Sequence, residues 1–159
     1  GAEVEAMKGA HSLLAGPIVG SITEVEFVPI YEGQGLLEDQ MKLFREYGFA
    51  LIDILDSRRW HRGEIKGRGG LVWAEVLWLR DVQSLQNTIK NSKELSLALL
   101  KLAVVADAFN RDSHAFEAIE AAIVNTPDET VFWYDKFILV HGLINKYNKY
   151  SARTLKFSR

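Results

Sequence analysis

The chain has 159 residues, 48% of them hydrophobic and 25% charged, enough for one globular domain with a real core and too apolar for a disordered or fibrous protein. It contains no cysteine, which excludes disulfide frameworks, thiolate metal sites and cysteine nucleophiles. The formal charge of -2 supplies no whole-protein attraction to nucleic acid or to an acidic membrane, so such a partner needs a local patch. Along the chain, Glu3 to Leu14 places Val4, Met7, Ala10, His11 and Leu14 on one face at helical spacing, and Gly16-Pro17 ends the run. Ile22 to Ile30 is β-branched and aromatic, with Val25 and Phe27 on one face and Glu24, Glu26 and Val28 on the other, as in a strand. Leu36 to Tyr47 returns to the helical period and Gly48 stands where a C-terminal glycine belongs. Phe49 to Leu55 reads as a second strand, the glycines at 63, 67, 69 and 70 as a loop, and Leu71 to Leu79 as a third strand.

After Asp81 no convincing strand follows. Asn91 with Glu94 resembles a capping box that opens a helix through Leu95, Leu99, Leu102 and Val105. Ser113 can cap a short helix through Phe116, Ile119 and Ile123, and Thr126-Pro127-Asp128-Glu129 opens a helix running to about Tyr147. No linker of disordered composition separates the halves, so residues 1–82 form a mixed α/β part and 83–159 a helical extension packed on it. No apolar run is long enough to span a membrane, because Lys101, Asp135 and Lys136 interrupt the longest ones. The N-terminus lacks a basic region followed by an apolar one, and the expected location is cytoplasmic.

Charge is divided unevenly. Residues 1–56 hold ten acids and three bases, residues 57–159 eleven acids and sixteen bases. Two basic clusters make the difference. One is Arg58, Arg59, Arg62, Lys66 and Arg68; the other, Lys146 to Arg159, reads as a solvated tail. No phosphate loop, His-Glu-x-x-His or Gly-x-Ser-x-Gly is present, and the four histidines are too scattered for a metal site. Gly67-Arg68-Gly69-Gly70 precedes a strand, where a phosphate cradle follows one and opens a helix.

Gly1-Ala2-Glu3-Val4 with Met7-Lys8-Gly9-Ala10, the run Glu24 to Gln34, the block Tyr47 to Ile54 and the closing Ala74 to Arg80 together resemble, in order and spacing over residues 1–81, the C-terminal half of FkbM-family methyltransferases. The resemblance implies an α/β fold (α+β as a fragment): the last part of the Rossmann-like sheet of a class I S-adenosylmethionine-dependent O-methyltransferase, three strands with flanking helices. Gly1 and Glu3 match the end of the family's Asp-x-x-Gly-x-Glu motif, and the cofactor loop of the family lies before it. Ile22–Ile30 and Phe49–Leu55 are then its fifth and sixth strands, running parallel, with Leu71–Leu79 antiparallel and central between them. The connections leaving the carboxyl ends of the two parallel strands, Tyr31–Gln34 and Ser57–Gly70, lie on the ligand edge of such a sheet, and Glu3 lies on the same edge.

The candidate substrate-binding residues are therefore Glu3, Glu24, Glu26, Tyr31, Gln34, Arg58, Arg59, Trp60, His61 and Arg62. Each has a plainer reading beside the functional one. Glu3 is a first-turn acid favoured by the helix dipole. Glu24 and Glu26 suit a strand with one solvated face as well as a site, and Tyr31 and Gln34 can simply order a turn. The Arg58–Arg62 cluster is either an exposed hairpin or a recognition element for an anionic or sugar-like acceptor, since arginine suits carboxylate and phosphate and tryptophan suits ring faces.

Two functions follow as expectations. In the first, the chain is the substrate-side portion of a truncated methyltransferase, inactive alone, with no S-adenosylmethionine bound by these residues and no metal. In the second, it is a non-catalytic binding or assembly module whose extension offers Phe132, Trp133 and Phe137 as anchors, although aromatics at that spacing also form core. RNA binding by the arginine cluster is disfavoured by the acidic first part. A homodimer is expected, because the resemblance places a further strand beside Ile22–Ile30 and two copies can cover that edge for each other.

Overall fold

Residues 2–61, 63 and 69–125 are described by the structure, a computed structural model. Their elements are α1 (Glu3–Gly9), α2 (His11–Ala15), β1 (Gly20–Glu26), α3 (Leu37–Glu46), β2 (Phe49–Trp60), β3 (Gly70–Arg80), α4 (Val82–Thr88), α5 (Ser92–Ala108) and α6 (Asp112–Asn125). The chain divides into two compact units, Gly1–Ser84 and Leu85–Arg159. Among the described residues no helix is long and apolar enough to cross a membrane.

The first unit is mixed α/β, with a three-stranded sheet ordered β1-β3-β2. β3 pairs antiparallel with both neighbours, so β1 and β2 run parallel to each other, and the expected central place of Leu71–Leu79 is found. Its composition suits that place: Ala74, Val76 and Trp78 are buried on one face and Leu77 and Leu79 on the other, as a central strand requires. On the first of these faces Val25, Ala74, Val76 and Trp78 form a core with Met7, Leu14, Phe44 and Phe49. Phe44 stacks on Trp78 with ring centroids 4.3 Å apart and meets Phe49 edge-on at 5.4 Å, geometries that add to their area burial.

A polar chain threads this core. Trp78 Nε1 donates to Thr23 Oγ1 (2.8 Å), Thr23 Oγ1 donates to Gln40 Oε1 (2.8 Å), and the buried Gln40 donates through Nε2 to the Glu24 carbonyl (2.7 Å). Arg80, only 4% exposed, donates through Nη1 to the Gly16 carbonyl at the end of α2 (2.9 Å), a favourable place for a cation. Burial pushes its pKa below the usual arginine value.

In the second unit Asn91 caps α5 by accepting from the Lys93 and Glu94 amides at 3.0 and 3.2 Å. Asn110 ends it in the left-handed region (φ 56), with Asn110 N–H on the Asp107 carbonyl and Arg111 N–H on that of Ala106, the paired bonds of a Schellman turn. Ser96 Oγ donates to the Asn125 carbonyl (3.1 Å), so the start of α5 lies beside the end of α6.

Several boundaries differ from those expected. The first helix breaks at Gly9-Ala10 into α1 and α2, where glycine lowers the cost of leaving the helix. β1 ends at Glu26 rather than Ile30, although Phe27 N–H still reaches the Val72 carbonyl at 2.9 Å. Pro29 has no N–H to continue the ladder. β2 runs on to Trp60, so Arg58, Arg59 and Trp60 stand on a strand and not in a loop. α4 was not expected; Asp81 Oδ2 accepts from the Ser84 amide at 2.8 Å and opens it. α6 starts at Asp112, which puts Ser113 inside the helix. The helix expected from Thr126 and its aromatics Phe132, Trp133 and Phe137 lie outside the described residues, as does Arg62.

Candidate functional site

Strand register brings the chemistry of the first unit together. Because β1 and β2 run the same way, both carboxyl ends lie at the amino end of β3. There Trp73 is directly opposite Glu26 on one side and Arg58 on the other, and residues directly opposite share a sheet face. The Arg58 guanidinium lies over the Trp73 ring, 5.7 Å from its centroid, within cation–π range. One step toward the sheet centre, Glu75 is opposite both Glu24 and Asp56. An Arg-Trp-Glu row thus borders a row of three acids, on the face opposite the core that holds Val25, Ala74 and Val76.

The two glutamates are not equivalent. Glu24 is half-buried, while Glu26 is 2% exposed. A solvated strand face therefore does not describe Glu26, and a buried carboxylate is costly enough that its position requires compensating contacts. Arg58 also approaches Asp56 Oδ2 at 4.0 Å, at the limit of an ion pair. The acids do not form a metal site: among the described residues no group of three or more carboxylate or imidazole side chains could hold an ion.

The neighbouring residues of the strand tip project further. Trp60 is 64% exposed, His61 is exposed, and Arg59 Nη1 donates to the Gly69 carbonyl at 2.9 Å, which closes the neck of the β2–β3 hairpin. A Cβ on Gly69 would run into the Trp60 carbonyl, so glycine is required there for the two strands to approach. Trp60 thus offers an exposed ring, and Arg58 a guanidinium over a second indole.

Tyr31 and Gln34 occupy the connection that leaves β1. Gln34 Oε1 accepts from the Ile30 and Tyr31 amides at 2.7 and 3.4 Å, so its carbonyl oxygen is committed to ordering the turn, and Tyr31 is left exposed. Glu3 opens α1, and its neighbour Val4 packs on Gly35 at the end of the same connection, where an added Cβ would come within 2.6 Å of Val4 Cγ2. α1, Gly33–Gly35 and α3 enclose an open cleft of about 650 Å³ whose polar lining includes Glu5, Lys8, Asp39 and Lys42. Glu3, Tyr31 and Gln34 therefore share one end of the sheet with the Arg58–His61 segment, but register groups only Glu24, Glu26 and Arg58 in adjoining cross-strand rows.

Asp56, Trp73 and Glu75 belong to these rows and are not singled out by sequence reading. Trp73 and Glu75 face Glu26 and Glu24 through the unbroken β1–β3 register, and Asp56 reaches Glu75 through two register shifts in β2, between Leu51 and Asp53 and between Ile54 and Asp56, each of which turns later side chains to the other face. The only local signal is Trp73-Ala74-Glu75, a small buried residue between two large polar-edged ones. Compared with protein-family models, curated proteins and solved structures, the chain matches none.

Proposed function

We propose that this chain is the acceptor-binding, C-terminal portion of an O-methyltransferase of the FkbM type, and that the Glu26-Trp73-Arg58 row with the exposed Trp60 receives an anionic or sugar-like acceptor. The observation that carries the reading is the strand order: two mutually parallel strands with an antiparallel one inserted between them, and the recognition side chains gathered at the parallel strands' carboxyl ends, the ligand side of an α/β sheet. Arg58 suits a carboxylate or phosphate on the acceptor, Trp60 a sugar face, and Glu26 or Glu24 is the group placed to accept a hydroxyl proton. Methyl transfer also needs the sulfonium donor aligned with that oxygen; S-adenosylmethionine supplies the methyl group, and its site lies outside these residues.

Saturation-transfer NMR of the chain with a panel of neutral and acidic monosaccharides tests the reading. Acidic sugars should show contacts, and Arg58→Ala should weaken their binding about tenfold, the equivalent of one charge-assisted hydrogen bond. Trp60→Ala should remove contacts to the sugar ring. Absence of any contact, or binding indifferent to both substitutions, would leave no acceptor site here. A second reading, the assembly module, draws on the exposed apolar side chains Leu97, Ile123 and Val124 of α5 and α6.

A further inference from the structure

Arg58, the cation of the proposed acceptor site, already shares its charge within the chain. Asp56 and Arg58 stand two residues apart on β2, opposite Glu75 and Trp73 with no register shift between them, so both side chains leave the same face of the sheet. Arg58 Nη2 lies 4.0 Å from Asp56 Oδ2, and its Cζ lies over the Trp73 ring. At that distance the two charges attract each other without a hydrogen bond. Among the described residues no hydrogen bond takes any of the Arg58 guanidinium donors. An incoming anion finds these donors open and the charge partly compensated.

Asp56 is fixed in this place from both sides. Its Oδ1 accepts from the Ser57 amide at 2.7 Å, which leaves Oδ2 to face Arg58. Across the strands it is directly opposite Glu75, which is itself opposite Glu24, and like charges directly opposite are destabilising. Among the described residues Arg58 is the cation paired with Asp56. Asp56, Arg58 and Glu75 are all exposed, so a ligand can reach them. A ligand carboxylate that draws Arg58 to itself leaves Asp56 facing Glu75 with less compensation. That loss is offset when the same ligand brings a hydroxyl to Asp56 Oδ2, because hydrogen bonds to a charged acceptor are among the strong ones.

We propose that Asp56 is a specificity-determining residue of this site, a role that rests on the acceptor-binding reading. It competes with the acceptor's acidic group for Arg58, and so favours a sugar acid, whose carboxylate takes Arg58 while a neighbouring ring hydroxyl donates to Asp56, over an acid without that hydroxyl. Alternate positions along a strand are about 7 Å apart at Cα, and here the side-chain tips approach to 4.0 Å. One pyranose with an acid beside a hydroxyl bridges such a pair. Discrimination then has two sources at one residue, a hydrogen bond gained by the sugar acid and a cost imposed on the bare anion.

NMR titration of the full chain with glucuronate and with cyclohexanecarboxylate, which pairs the same acid with a ring that has no hydroxyls, tests this role in the unaltered chain and in Asp56→Asn. Asparagine removes the charge and keeps an oxygen for the Ser57 amide, so the far-ultraviolet spectrum should not change. Asp56→Ser, also short, polar and uncharged, carries the test if the asparagine chain fails to fold. The unaltered chain should prefer glucuronate. In the variant cyclohexanecarboxylate should gain about three- to tenfold in affinity, the size of a weak exposed ion pair, while glucuronate gains nothing or weakens, so the preference collapses. A mere change of net charge would instead raise both acids by the same factor. An equal change in both, or a preference that the substitution leaves unmoved, would overturn the role of Asp56 and leave the acceptor site standing. No contact from either acid in either chain would overturn the acceptor-binding reading, and the role of Asp56 with it.

Discussion

Gln40 does two things at once: it receives the Thr23 hydroxyl and it closes an outward carbonyl of an edge strand. Replacement by leucine keeps the volume and the helix propensity but leaves the Glu24 carbonyl without its donor in a buried place. The expected loss is about 1–3 kcal/mol, read as a lower urea midpoint with an unchanged slope. A loss below about 0.5 kcal/mol, the size expected of an ordinary surface change, would mean that water replaces the amide and that the polar chain through the core is not structural. Gly48 is a second residue with a single physical reason. Its φ is 75, and a Cβ there would strike the Ser84 side chain. Gly48→Ala should therefore cost more than the roughly 1–2 kcal/mol of the left-handed region alone. In a Ser84→Gly background only that backbone part should remain, and an undiminished cost there would contradict the contact.

Elements meet one another through equally specific contacts, and the seat of α1 is one. Gly35 ends the connection after β1, and its missing Cβ is the space filled by Val4 of α1. Gly35→Ala should lower the thermal midpoint because backbone and helix must separate, whereas in a Val4→Ala background, where only the Cβ contact at 3.2 Å remains, the same substitution should cost much less. This non-additivity is what a shared contact predicts, and additive losses would disprove it. At this scale the sequence was informative where a signal is local. Gly48 after an amphipathic run, Asn91 before one, and the alternation around Val25 each report their own neighbourhood, and the elements they imply are present. Arg58, Arg59 and Trp60 misled because two of them are charged and follow the apolar stretch, yet they pair with Trp73, Leu71 and Gly70. The grouping of Glu26, Trp73 and Arg58 was not legible either, since it depends on bulges in β2 and on a central strand of β3 that no local pattern encodes.

At the scale of the whole molecule, the proposed acceptor-side reading carries an expectation about the donor cofactor. In open α/β sheets a nucleoside-bearing cofactor sits where a glycine-rich turn follows a strand and opens a helix whose N-terminal amides face the ligand. Among the described residues the turn that fits this description is Gly33-Gln34-Gly35, between β1 and α3. Its chemistry is wrong for that use. Asp39 Oδ2 already accepts from the Leu36 amide at 2.9 Å, Glu38 adds a second acid to the first turn, Gln34 is bonded back to the turn, and Val4 fills the space above Gly35. An incoming carboxylate would meet like charge at a helix end whose amide is taken. Calorimetric titration of the chain with S-adenosylmethionine should accordingly give no saturable heat. A stoichiometric, saturable heat at micromolar cofactor, abolished by Gly33→Val or altered by Asp39→Asn, would place the donor site in this turn and would overturn the assignment of these residues to the acceptor side alone.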